Sequence, residues 1–274
     1  MNNNPLKQYF RRPAVYMKLP SAGKDYEPGV IDMPETGELP VYPMTAIDEI
    51  TTRTPDALFN GTALVELVKS CIPNIKDPWK ISSNDMDAIL ISIKAATSGD
   101  TFELDTECPK CNEVSTYSVN LMPILASLKS GDYETNLETG DLIIKFKPLR
   151  YLDMNTAALA QFELQRTLIA LDNIEDETER NRISKEALEK ITLLTMELLT
   201  KTIEYIATPT MRVEEPEYII DFLKNCDRNI YVSVRDHNAK LRSDTEIKPI
   251  HINCDSCSHE YDQDFTLSPV DFFD

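Results

Sequence analysis

The sequence predicts a mainly α protein with small β elements: a helical domain, two β-hairpin knuckles tipped with cysteines, and a long antiparallel helical hairpin. Three observations carry that expectation. Cys-x-x-Cys occurs twice, at Cys108-Pro-Lys-Cys111 and at Cys254-Asp-Ser-Cys257, and each copy is flanked by short alternating apolar stretches. Apolar residues recur at helical spacing through 45–98 and again through 153–207. Residues 1–44, by contrast, carry Pro5, Pro13, Pro20, Pro28, Pro34, Pro40 and Pro43, a spacing that forbids a long helix.

Residues 1–44 therefore read as an extended Pro-rich arm. It is not low in complexity: Tyr9, Phe10, Val15, Tyr16, Met17, Leu19, Tyr26, Val30 and Ile31 punctuate it. A flexible tail would be poorer in aromatics. The arm is expected to pack either on this chain's own core or on a neighbouring subunit, with Tyr9, Phe10, Tyr16 and Tyr26 as candidate partner contacts. Leu39 to Met44 reads as a short edge strand.

Residues 45–100 form the helical N-terminal part. Thr45-Ala-Ile-Asp48 is a capping signal, and Thr54-Pro55 places proline at a first helical position. Ala63, Leu64, Leu67, Val68 and Cys71 make one apolar stripe. Ser82 caps a further helix in which Met86, Ile89, Leu90 and Ile93 share a face. Asp85 and Asp87 near its start are expected to complement the helix dipole rather than to act as acids and bases.

Residues 101–121 plus 246–274 make the knuckle module. Two residues between cysteines let both thiolates reach one ion at about 2.3 Å, and two such tips complete a closed tetrahedral zinc site. Cys108, Cys111, Cys254 and Cys257 are therefore the expected ligands of a structural zinc ion in a four-cysteine zinc ribbon. His251 and His259 flank the second pair as alternative ligands. A redox Cys-x-x-Cys belongs at a helix start, whereas β-alternation surrounds both pairs here. The other two cysteines, Cys71 and Cys226, lie on apolar-periodic segments and read as buried inert thiols in a reducing compartment.

Residues 122–245 read as a helical insertion. A brief helix over 122–129 and a strand over 140–148 precede the long hairpin, 153–207, whose arms are expected over 153–172 and 177–207 around the acidic turn Asn173-Ile-Glu-Asp-Glu177. At about 1.5 Å per residue, each arm reaches roughly 30–45 Å, long enough to offer partners a surface. Helices after Pro216 and after Asp227 follow, with Ile230, Val234, His237 and Leu241 in register on the second.

Composition narrows the function. The chain has 274 residues, 46 of them acidic and 28 basic, for a net charge of −18, and such a surface repels phosphate backbones. Glu103, Asp105, Glu107, Glu113, Asp255, Glu260, Asp262 and Asp264 crowd the knuckles against Lys110 alone. That weighs against the alternative of a zinc-ribbon accessory factor for nucleic acid or transcription machinery. No nucleotide-cradling glycine motif occurs and only 7 residues are glycine. No apolar run of membrane length exists, and the first residues lack a signal-peptide core. With 3 histidines and no convergent nucleophile, no catalytic set is found and no enzymatic activity is expected.

A string of short pieces adds a resemblance. Asn4-Pro-Leu-Lys-Gln-Tyr9-Phe-Arg-Arg-Pro13, Leu19-Pro-Ser21 and Gly37-Glu-Leu-Pro40-Val-Tyr-Pro-Met44-Thr45 come first. Thr54-Pro-Asp-Ala-Leu58, Asn60-Gly61, Ser70-Cys71-Ile-Pro73 and Cys108-Pro-Lys-Cys111 follow. Together they resemble the baseplate hub assembly proteins of T4-like contractile-tailed bacteriophages, most densely over residues 4–121. The resemblance implies a hub component or an assembly chaperone. Its partners would be other baseplate or hub proteins, or further copies of itself. It would act in the host cytoplasm during assembly or in the virion tail baseplate. The resemblance implies no catalytic residues.

Overall fold

The computed structural model describes residues 4–24, 26–53, 60–171 and 176–265, and the chain divides into two units, 1–129 with 246–274, and 130–245. The helix expected from Thr54-Pro55, the start of the turn after residue 172, and the aromatic tail lie outside the described residues.

In the first unit the proline-rich stretch packs on the helices through a few buried side chains, with much of the rest exposed. Strand β1 (Val15–Met17) pairs antiparallel with β2 (Leu39–Val41), setting Val15 opposite Val41 and Met17 opposite Leu39. Ile31 makes a further bridge to Ile75. Met17, Leu19, Val30, Leu39 and Val41 are all buried. They join the stripes of α2 (Thr62–Cys71) and α3 (Ser83–Ser98), while α1 (Ala46–Thr52) sits beside α2 behind the Thr45–Asp48 capping box. The expected stripe of α2 is buried residue for residue. Helix α3 goes further than its expected face: Ala88, Ile91, Ser92 and Ala95 are buried too, so it is the unit's central helix.

Polar anchors hold the arm in place. The Arg11 guanidinium donates to Pro43 O at 2.7 Å and to Ser70 O and Ser70 Oγ at 2.8 Å, and pairs with Asp48 at 3.3 Å. Asp85, fully buried, accepts hydrogen bonds from Ser21 N at 2.9 Å and from the hydroxyls of Ser21 and Tyr26. A buried carboxylate is tolerable only when satisfied in this way. Burial pushes the neighbouring Asp87 carboxyl up to about 7. Asp85 stands in the first turn of the helix, and Asp87 lies two residues further in.

After α3 come the hairpin β3 (Thr101–Glu107) and β4 (Val114–Asn120), then α4 (Leu121–Ser127); the hairpin β9 (Ile250–Asn253) and β10 (Glu260–Gln263) completes the unit.

The second unit is built on a four-stranded antiparallel sheet in the order β5 (Leu137–Thr139), β6 (Leu142–Phe146), β7 (Ile203–Ala207) and β8 (Arg212–Val213). The turn between β5 and β6 has two residues, with Gly140 at φ 58°, a conformation that glycine adopts without steric cost. Helices α5 (Tyr151–Ala170) and α6 (Glu177–Lys201) form the hairpin, and the Lys201–Asp153 ion pair at its base fixes them as antiparallel. Helices α7 (Pro216–Asn225) and α8 (Arg228–Ser243) supply Ile219, Leu223, Val234 and Leu241 to a core shared with Ile144, Phe146, Leu199, Ile203 and Ile206.

One boundary differs from the sequence reading. The second hairpin arm was expected to run as helix to Ala207, but it stops at Lys201 and the chain turns into β7. A β-bulge explains the error. Lys145 pairs with Tyr205 and Phe146 with Ile203, leaving Glu204 as an extra residue. The extra residue breaks the alternation of two, so Ile203 and Ile206 are both buried. Their spacing of three imitates a helical stripe. The 122–245 segment is thus α helices on a small sheet rather than helices alone.

Candidate metal centre

The two cysteine pairs sit on tips of identical length. In the first hairpin the last strand pair is Glu107 opposite Val114, and in the second it is Asn253 opposite Glu260. Each tip is thus six residues, Cys108–Glu113 and Cys254–His259. The backbone closes both tips in the same way. Cys108 N donates to Glu113 O at 2.9 Å and Asn112 N to Cys108 O at 2.9 Å. Cys254 N donates to His259 O at 2.9 Å and Ser258 N to Cys254 O at 2.8 Å. The residue after each second cysteine takes the left-handed conformation, Asn112 at φ 57° and Ser258 at φ 55°. Asparagine visits that region more readily than other residues with a side chain.

These two turns bring four sulfurs together. All lie within 4.8 Å of one another, with Cys108 Sγ 3.7 Å from Cys257 Sγ and Cys111 Sγ 3.7 Å from Cys254 Sγ. A disulfide would need about 2.05 Å. A tetrahedron with metal–sulfur bonds of about 2.3 Å has edges of about 3.8 Å, so the donor set fits a tetrahedral thiophilic ion. Cys108 and Cys254 are buried, Cys257 is half-buried and Cys111 is exposed.

The thiols are not equivalent. Burial acts to raise the Cys108 thiol, but the backbone N–H groups of Cys111 and Lys110 and bonds to neighbouring sulfurs outweigh it and bring it down to about 7. For Cys111 the N–H of Glu113 acts to lower the thiol, but its bonds to Cys257 and the other sulfurs push it up to about 12. Close-packed thiols cannot all ionise together without a cation to balance them.

Around the sulfurs the hairpins interlock. Thr106 Oγ1 donates to Gln263 Oε1 at 2.7 Å, the Tyr261 hydroxyl to Thr106 Oγ1 at 3.4 Å, and the Tyr117 hydroxyl to Asn253 O at 3.4 Å. Phe102 and Phe265 meet edge to face at 5.8 Å, and Phe265 and Ile252 are buried. The sequence reading singled out the cysteines but not Thr106, Gln263 or the paired left-handed residues. Their signal was the shared six-residue tip length, legible only once the strand ends were known.

The other named residues fall apart from this centre. His251 and His259 lie outside the four-sulfur cluster: His251 Nδ1 is 3.0 Å from Asp262, and His259 stacks on Tyr261 at 6.3 Å. His237 packs on Phe146 at 4.9 Å, and burial with nearby Lys240 holds it below the ordinary imidazole range. Tyr26 is turned inward onto Asp85, whereas Tyr9, Phe10 and Tyr16 are 77%, 57% and 63% exposed. Among the described residues no helix is long and apolar enough to cross a membrane.

A family model described as T4 bacteriophage base plate protein matches residues 29–274, which include all four clustered cysteines and nearly the whole chain. No curated protein and no solved structure matches the chain.

Proposed function

The chain belongs to the T4 bacteriophage base plate protein family, and from that premise we propose that it is a non-enzymatic hub component, or an assembly factor of the hub, acting through protein–protein contacts. The family match across 29–274 carries the reading, and the hub-like string of motifs over 4–121 narrows it. Its setting is the host cytoplasm during assembly and then the tail of the virion.

The four cysteines are read as a structural zinc ribbon. Cys108, Cys111, Cys254 and Cys257 would hold the ion, which when bound supplies a cross-link between distant parts of the chain. Four sulfur ligands leave no open position for a water or a substrate, which favours a structural over a catalytic role. Acidic residues around the knuckles favour protein partners over nucleic acid. The exposed Tyr9, Phe10 and Tyr16, on a segment anchored through Arg11, are the proposed contact with a neighbouring baseplate protein.

The test is genetic and morphological. Phage lacking the gene should accumulate baseplates without a complete hub and lose infectivity, as seen by electron microscopy and plaque count. Normal tails and normal plaques would overturn the proposal.

A further inference from the structure

The four clustered sulfurs differ in how they meet solvent, and the difference follows a pattern. In each tip the first cysteine is buried, Cys108 and Cys254 both at 1% exposure, while the second is open: Cys111 is exposed and Cys257 half-buried. The sulfur–sulfur contacts at 3.7 Å run between the hairpins, Cys111 Sγ to Cys254 Sγ and Cys257 Sγ to Cys108 Sγ. Each contact therefore joins a sulfur that solvent reaches to one that it does not. That is the arrangement of a thiol that meets an oxidant beside a thiol that resolves it.

Four cysteines allow three pairings. Joining Cys108 to Cys254 and Cys111 to Cys257 would couple the two buried sulfurs, neither of which an oxidant in solution reaches first. Joining the cysteines within each Cys-x-x-Cys would leave no sulfur bridge between the hairpins. The remaining pairing follows the 3.7 Å contacts. The hairpins are held in that register by groups other than sulfur: Thr106 on Gln263 at 2.7 Å, Tyr261 on Thr106 and Tyr117 on Asn253 at 3.4 Å. Each sulfur pair has to close by about 1.7 Å to reach disulfide length.

We infer that this centre is an oxidation site at which a peroxide converts the clasp into two disulfides across the hairpins, Cys111–Cys254 and Cys108–Cys257. The inference rests on reading the four cysteines as one thiolate centre, and not on the hub role. The Cys111 thiolate attacks one oxygen of hydrogen peroxide, the O–O bond breaks, hydroxide leaves and Cys111 becomes a sulfenic acid. The Cys254 thiolate attacks the Cys111 sulfur, the S–O bond breaks, and a second hydroxide leaves as the S–S bond forms. Two electrons pass from the sulfur pair to the peroxide, and the hydroxides take protons from the buffer to become water. A second peroxide does the same at Cys257 and Cys108. No thiolate then remains to hold an ion, yet the two hairpins stay joined outside a reducing compartment.

The test treats the folded full-length protein with excess hydrogen peroxide at neutral pH, alkylates the remaining thiols and digests without reductant. Trypsin cuts after Lys110 and so separates Cys108 from Cys111, and a protease that cuts before Asp255 separates Cys254 from Cys257. Mass spectrometry should find the Cys111 peptide joined to that of Cys254, and the Cys108 peptide joined to that of Cys257. In the presence of a chelator, the oxidised protein should melt above the reduced one, because the disulfides take over the cross-link. Links confined to Cys108–Cys111 and Cys254–Cys257, thiols that stay open to alkylation, sulfinic acids in place of disulfides, or an oxidised protein that melts no higher would each overturn the inference. Zinc content before oxidation tests the metal separately: cross-hairpin peptides from a protein purified without metal would support this inference and overturn the zinc reading.

Discussion

The sulfurs of Cys108 and Cys257 lie 3.7 Å apart although 149 residues separate them. A contact of that span closes a very long loop, and the entropy of holding it shut is supplied by whatever joins the sulfurs. The purified protein should therefore contain one zinc per chain by elemental analysis. Cys108→Ser and Cys254→Ser should each lose it and lower the melting temperature by a similar amount, since their turns are equivalent. Chelation at neutral pH should do the same. A serine variant that kept both its metal and its melting temperature would remove the four-thiolate site.

Ser258 tests the turn itself. At φ 55° a β-branched residue is strained, so Ser258→Val should destabilise the protein by about 1–2 kcal/mol in chemical denaturation. Ser258→Asn, which copies Asn112 of the first knuckle, should be neutral or mildly stabilising.

Tyr26 should give an alkaline signature. Burial, and then the charge of Asp85, raise its phenol well above the ordinary value. A group raised in the folded state contributes stability that is fully present below its unfolded pKa, about 10, and is lost as pH climbs toward the folded value. Stability should thus decline above pH ~10, and Tyr26→Phe should flatten that decline. The same variant should cost about 1–3 kcal/mol at neutral pH by removing a buried donor to Asp85.

Asp87 should behave oppositely to a paired carboxylate. Its folded pKa is raised to about 7, so between pH ~4 and 7 the folded chain binds more protons than the unfolded one. Stability should fall as pH rises through that window. Asp87→Asn should raise the melting temperature at pH 8 and change little at pH 4.

The exposed end of the arm should separate contact from folding. Tyr9→Ala with Phe10→Ala removes two exposed rings and should leave the melting temperature within a degree or so. The same change should reduce phage yield in a complementation assay if those rings touch a neighbour. Wild-type yield would assign them to solvent.

Much of this structure could be read from the sequence because the informative residues are local. The stripes of α2 and α3 and the two Cys-x-x-Cys turns are set by spacings of two to four residues. What escaped was set by distance or by irregularity. The anchoring of the arm depends on Arg11 reaching Ser70 and on Tyr26 reaching Asp85, pairings that no periodicity announces. Strand β7 was hidden because Glu204 shifts Ile206 into a helical spacing from Ile203. Strands β5 and β8 have three and two residues, too few for alternation to register. At the metal centre the ligand types were plain, but the gasket of Thr106, Gln263 and Phe265 needed the second hairpin laid on the first.

The first unit is assembled from two separated stretches of chain, with 130–245 forming its own unit between them. On a ribosome adding roughly 5–20 residues per second, Cys257 emerges about 7–30 seconds after Cys108. The intervening unit can complete its core in that interval, while the first knuckle waits with two unpaired thiols. Fragments from interrupted synthesis would carry half a clasp and no means to shut it. The four sulfurs can therefore come together only after both separated stretches have been made, which places closure of this unit after synthesis of the other.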